Sequence, residues 1–143
     1  MALAADRFYN IVLDAWPLVH VSLHSAPAND DEFDEFQSEF IGVLEGVLAD
    51  QRDNASEDRI ALVMELDGIV SASFSQKMRG VGFIGVLKPY VAQTIRCTAL
   101  VITSSTVRTI VEWILALRPL QSEHAVFNNE AAALAWCEAN LRA

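Results

Sequence analysis

Arg59 to Gln76, RIALVMELDGIVSASFSQ, decides how the rest of the chain is read. Ile60 to Leu66 is an almost uninterrupted apolar run, and Asp67-Gly68 is a turn signal that closes it. A run of that length between polar flanks predicts a strand buried on both faces. Ser71, Ser73 and Ser75 then precede Gln76-Lys77-Met78, a pattern that predicts a loop feeding a helix that starts near Ser75. A buried strand that hands hydroxyls to a helix start is where an α/β domain places a regulatory or anion-binding site.

Upstream, Phe8 to Asp14 and Leu18 to His24 flank Ala15-Trp16-Pro17 and predict a hairpin. In the second strand Val19, Val21 and Leu23 alternate with His20, Ser22 and His24, giving one apolar face and one face read as solvated. No third ligand type stands near His20 and His24 in the sequence, so they are read as surface histidines and no metal site is predicted. Ala26 to Asp31 leads into a helix whose first turns carry Asp30, Asp31, Glu32, Asp34 and Glu35, acids that complement the helix dipole. Phe33, Phe36, Phe40, Val43, Leu44, Val47 and Leu48 recur at three and four residues and define its apolar face. Gln51 to Asp58 reads as a polar connector into the buried strand.

Downstream, Gln76 to Lys88 is apolar on nearly every side and predicts a helix ended by Pro89. Met78, Val81, Phe83, Ile84 and Leu87 make that helix a candidate contact surface for another protein or for a second copy of the chain, a homodimer. Ile95 to Thr103 predicts another buried strand, and Thr103-Ser104-Ser105-Thr106 caps a helix carrying Val107, Ile110, Val111, Ile114 and Leu115. Arg118-Pro119 stops it. His124 to Phe127 is a short last strand, and Asn128-Asn129 caps a closing helix, Glu130 to Leu141. The order β-β-α-β-α-β-α-β-α predicts one α/β domain over residues 1–143, a layer fold with a mixed, mostly parallel sheet behind an N-terminal hairpin.

Composition narrows the function. Nineteen acids against ten bases give a net charge of −9, which disfavours nucleic acid and basic-patch membrane attraction alike. No stretch reaches the roughly 18 apolar residues of a membrane span. The opening MALAADRFYN lacks a basic region followed by an apolar one, so no secretory leader is expected and a cytoplasmic location is. Cys97 and Cys137 lack metal or redox spacing and read as reduced core thiols. G-x-S-x-G, H-E-x-x-H and the glycine-rich phosphate loops are missing, so no catalytic residue and no cofactor are assigned and the domain is expected to be non-enzymatic. Two alternatives stay open. Ser71, Ser73, Ser75, Ser104, Ser105 and Thr106, at two neighbouring helix starts, are candidates for holding a small anion or nucleotide, with Phe83, Ile84, Val86 and Leu87 a candidate patch for a lipid-like ligand. Otherwise the chain is a structural subunit of a larger assembly.

The element order, with ALVMELDGI (Ala61 to Ile69) running into a serine-bearing helix start, resembles the STAS domain, the fold of anti-sigma-factor antagonists and of sulfate-transporter tails. The closing FNNEAAALAWCEANL (Phe127 to Leu141) is similar to the tail of the SpoIIAA-like subgroup. The resemblance implies a regulatory domain that acts by protein–protein contact. In the antagonists the phosphorylated serine lies in an Asp-Ser-Ser-Gly motif just after the third strand. Ser73-Phe74-Ser75-Gln76 occupies that place here, and only Ser75, opposite the phosphoacceptor, keeps its residue type. A phosphate there would add about −1.5 to −2 charges at a helix N-terminus, whose dipole favours them. Unmodified, Ser75 is read as the cap of that helix.

Overall fold

Five strands in the order β1-β2-β3-β4-β5 form one sheet in the computed structural model, which describes residues 7–142. β1 (Tyr9–Val12) pairs antiparallel with β2 (Leu18–Leu23), and β3 (Ile60–Glu65), β4 (Ile95–Val101) and β5 (Glu123–Phe127) follow in parallel. Helices α1 (Asp30–Asn54), α2 (Phe74–Thr94) and α3 (Ser105–Leu117) are the crossovers, and α4 (Glu130–Arg142) closes the chain. The α/β layout expected from the sequence is present. The reading of residues 1–6 as free of a leader lies outside the described residues. Among the described residues no helix is long and apolar enough to cross a membrane.

The topology dictates the layers. β2 to β5 are laid down in one direction, and right-handed crossovers then place every connecting helix on the same face. Val19, Val21, Ile60 and Leu62 accordingly pack with Phe36, Phe40, Phe83 and Leu87 of α1 and α2. Leu100 packs with Val107 and Val111 of α3. On the opposite face Ala61, Val63, Cys97 and Ala99 meet Ala133 and Cys137 of α4. Phe36 is the hub of the thicker layer, with the rings of Phe8, Tyr9, Phe40 and Phe83 at 5.7, 5.0, 5.9 and 5.5 Å. Both cysteines are free and completely buried beneath α4. Burial pushes both thiols up, that of Cys137 to about 12, so both stay protonated.

Several boundaries differ from the sequence expectation. α1 runs to Asn54 and ends on Ala55 in the left-handed region (φ 50°), so the first half of the expected connector from Gln51 to Asp58 is helix. Gln51 explains the extension, since its amide donates to the carbonyls of Asp58 and Gln93 at 3.0 and 2.7 Å. Pro89 does not end α2, which continues to Thr94. An internal proline costs ~3 kcal/mol. Burial of Val91 and Ile95, together with the Thr94 hydroxyl donating to the Tyr90 carbonyl at 2.7 Å, offsets it. Strand β4 stops at Val101 rather than Thr103: the Ile102 N–H still donates to the Phe127 carbonyl at 2.9 Å, but those of Thr103 and Ser104 go to the Asp67 carboxylate.

Candidate functional site

The C-terminal ends of the parallel strands are held by one carboxylate. Asp67, two residues beyond the end of β3, opens a 3-10 helix, Asp67–Ser71. It accepts from the Thr103 N–H at 2.9 Å, the Thr103 hydroxyl at 2.6 Å and the Ser104 N–H at 3.0 Å. Burial raises its proton affinity, but these bonds outweigh the effect of burial and hold the carboxyl below its ordinary value. Ser104, freed to face inward, caps α3 by accepting from the Val107 N–H at 3.2 Å. Ser104 is thus occupied within the fold, while Ser105 and Thr106 are exposed on the first turn of α3.

The serines of the preceding loop lie elsewhere. Ser73, not Ser75, caps α2. Its backbone is extended, its hydroxyl accepts from the Gln76 N–H, and the Gln76 side chain accepts from the Ser73 N–H. This reciprocal pair needs Gln or Glu three residues after the cap, a spacing that Ser73-Gln76 meets and Ser75-Met78 does not. Gln76 also donates to the Pro27 carbonyl at 2.6 Å and so ties α2 to the loop before α1. Ser75 sits exposed in the first turn. Ser73 and Ser75 line a polar cleft with Asn29, Asp30 and Arg79, on the side of α1 rather than of α3. The two hydroxyl groups of helix starts are therefore not gathered into one anion site. Arg79, the cation of this cleft, is already paired with Asp30 (3.2 Å) and Asp34, and lies 4.7 Å over the Phe33 ring. Ser71 is exposed at the end of the 3-10 turn.

The expected contact residues on α2 divide by face. Val81, Phe83 and Leu87 are buried in the protein's own core and are corrected from interface to core, and Ile84 is half-buried. The helical repeat explains Phe83 and Leu87, four residues apart on the stripe that α2 turns toward α1 and the sheet, while Val81, two residues before Phe83, is buried on another side of the helix. Met78 is exposed, and it belongs to a patch the sequence did not single out. Phe74, 69% exposed, contacts the ring of Trp113, 38% exposed, at 6.0 Å, with Val70 and Leu117 exposed nearby in the chain. The missed signal is a spacing of four within each helix: Phe74 and Met78 on α2, Trp113 and Leu117 on α3.

A polar cluster sits on the α4 face. The alternation in β2 that reads as solvated instead points His20 and Ser22 toward Glu65 of β3, whose register partner is Ser22. His20 Nε2 lies 2.6 Å from Glu65 Oε2, and the Ser22 hydroxyl donates to the same oxygen at 2.9 Å. Glu130, first residue of α4, approaches His20 Nδ1 at 3.8 Å. His20, Glu65 and Glu130 can bring one ligand atom each within 4.8 Å of one another, and imidazole with carboxylates suits a divalent transition metal. The third ligand type absent from the neighbourhood in sequence is thus present in space; His24 stays exposed and apart. This is not a nucleophilic relay, because the hydroxyl donates to the carboxylate and not to the imidazole that would have to accept its proton.

Beneath α2 lies an apolar cavity of about 180 Å³. α2 is its roof, Leu62, Met64 and Leu100 its floor, and Phe36 and Ile110 stand on opposite walls. No protein-family model, no curated protein and no solved structure matches the chain.

Proposed function

We propose that this is a non-enzymatic, STAS-like regulatory domain that works in the cytoplasm by contacting another protein through the outer faces of α2 and α3. The observation that carries the reading is the exposed Phe74–Trp113 pair, flanked by Val70, Met78 and Leu117. Exposed aromatic side chains that already touch one another lose little entropy on docking and are enriched at interface centres. Free, buried cysteines suit a reducing compartment.

Ser75 is adjacent to Phe74 and four residues before Arg79. A phosphate on Ser75 would face Arg79 across one helical turn and compete with Asp30 and Asp34 for it. Modification would thus loosen α1 from α2 and place about two negative charges one residue along α2 from Phe74. This supports a switch at the docking surface.

Affinity capture from the source cells, read by mass spectrometry, tests it with purified wild type, Trp113→Ala and Ser75→Asp. Truncating a central aromatic anchor is expected to weaken the captured complex by about 2 kcal/mol, roughly thirtyfold, with the circular dichroism of the domain unchanged. Ser75→Asp is expected to weaken it in the same direction. An identical set of partners at identical yield from all three proteins would overturn the reading. Sedimentation of the purified domain separates a second copy from a foreign partner.

A further inference from the structure

We propose that the space beneath α2 is a binding site for a long acyl chain ending in an anionic group, with the chain under the helix and the anion at Lys77. Shape is the first argument. Gln76, Gly80, Phe83, Leu87 and Val91 all line the cavity, so it follows one stripe of α2 from Gln76 to Val91, about 22 Å at the helical rise. A long, narrow apolar space fits a linear chain better than a compact ring system.

Polarity is the second. Water in a buried space needs two to four polar partners. Thr98 and Ser122 line the cavity with hydroxyls 3.0 Å apart, so one donates to the other and only one hydroxyl proton is left over. Gln76 is engaged by the Ser73 cap and the Pro27 carbonyl. The interior thus offers ordered water fewer than the two to four partners it needs along most of its length, and its apolar walls favour hydrocarbon.

Charge is the third. Lys77 lines the same cavity at the first turns of α2 and is half-buried. Among the described residues it makes no ion pair, in a chain with nine more acids than bases. An unpaired ammonium at one end of an apolar slot selects an anionic terminus over a neutral one. The site does not depend on the protein-contact reading, since its lining excludes Phe74 and Trp113.

The test is calorimetric titration of delipidated full-length protein with palmitate, with hexadecanol and with phosphatidylglycerol vesicles, alongside thermal melts. Palmitate is expected to bind one to one and raise the melting temperature. Lys77→Met is expected to weaken palmitate at least tenfold while leaving hexadecanol unchanged, a split that loss of packing alone would not produce. Gly80→Leu is expected to abolish binding of both and leave the fold intact, because a Cβ there meets only the Ile114 side chain at 3.8 Å. Palmitate binding from solution identifies a free acid as the source, and uptake only from vesicles identifies a lipid; either supports an acyl anion. No binding in any arm, or binding that survives Gly80→Leu, overturns the site, and an equal loss of acid and alcohol in Lys77→Met overturns the role of Lys77. Partner capture by the Phe74–Trp113 surface is read separately, so failure of one leaves the other standing.

Discussion

Gly68→Ala is expected to lower the melting temperature by roughly 10 °C, one of two effects of similar size that converge on the end of β3. A Cβ built on Gly68 lies 2.1 Å from the Leu23 carbonyl oxygen, 2.4 Å from the His24 carbonyl carbon and 2.7 Å from the His24 oxygen. All three are backbone atoms at the end of β2, and none can rotate aside. No glycine has a positive φ among the described residues, so the demand for glycine is one of approach and not of conformation. Overpacking of this kind costs about 3 kcal/mol. For a domain of this size that is a shift of about 10 °C. Gly46→Ala is the control. Its Cβ meets nothing within 4 Å on the exposed side of α1, and the exchange is expected to stabilise by up to about 1 kcal/mol. Equal melting temperatures for wild type and Gly68→Ala would show that β2 and the 3-10 turn are not in contact.

Removing the Asp67 carboxylate is expected to cost about 3 kcal/mol near neutrality, because several charge-assisted hydrogen bonds to Thr103 and Ser104 are lost together. The loss has a defined pH dependence. The folded carboxyl holds its proton less tightly than the unfolded one, so the unfolded chain binds more protons as the solution is acidified. The contribution is therefore complete above the ordinary carboxylate range and disappears as pH falls through the depressed folded value. Urea midpoints of wild type and Asp67→Asn should differ fully at pH 7 and converge toward pH 3. A gap that stays constant over that range would mean that Asp67 is not held by these donors.

The layer order was legible because it rests on local patterns with strong physical causes. Ile60 to Val63 is apolar at every position, and such a run has no stable place except the middle of a sheet covered on both faces. Ser104 and Asn129 were readable as caps for the same reason, each being a short polar side chain at the edge of an apolar repeat. What was not legible depended on partners remote in sequence. His20 meets Glu65 across 45 residues of chain, and strand register alone aligns them. Pro89 fails to stop α2 because the cost is local while the burial that offsets it is tertiary. Ser73 is marked out from Ser75 in the sequence by Gln76, three residues on, the spacing a reciprocal cap requires. The cavity under α2 was beyond reach, since it is a property of how far apart three helices and a sheet stand.

The two thiols under α4 have a use for the experimenter. A cysteine reacts only as thiolate and only when reached, and burial denies Cys97 and Cys137 both conditions. Alkylating reagent can enter only when the closing helix lifts from the sheet, so the rate of mass gain clocks that lifting in the unaltered protein, with no reporter group added.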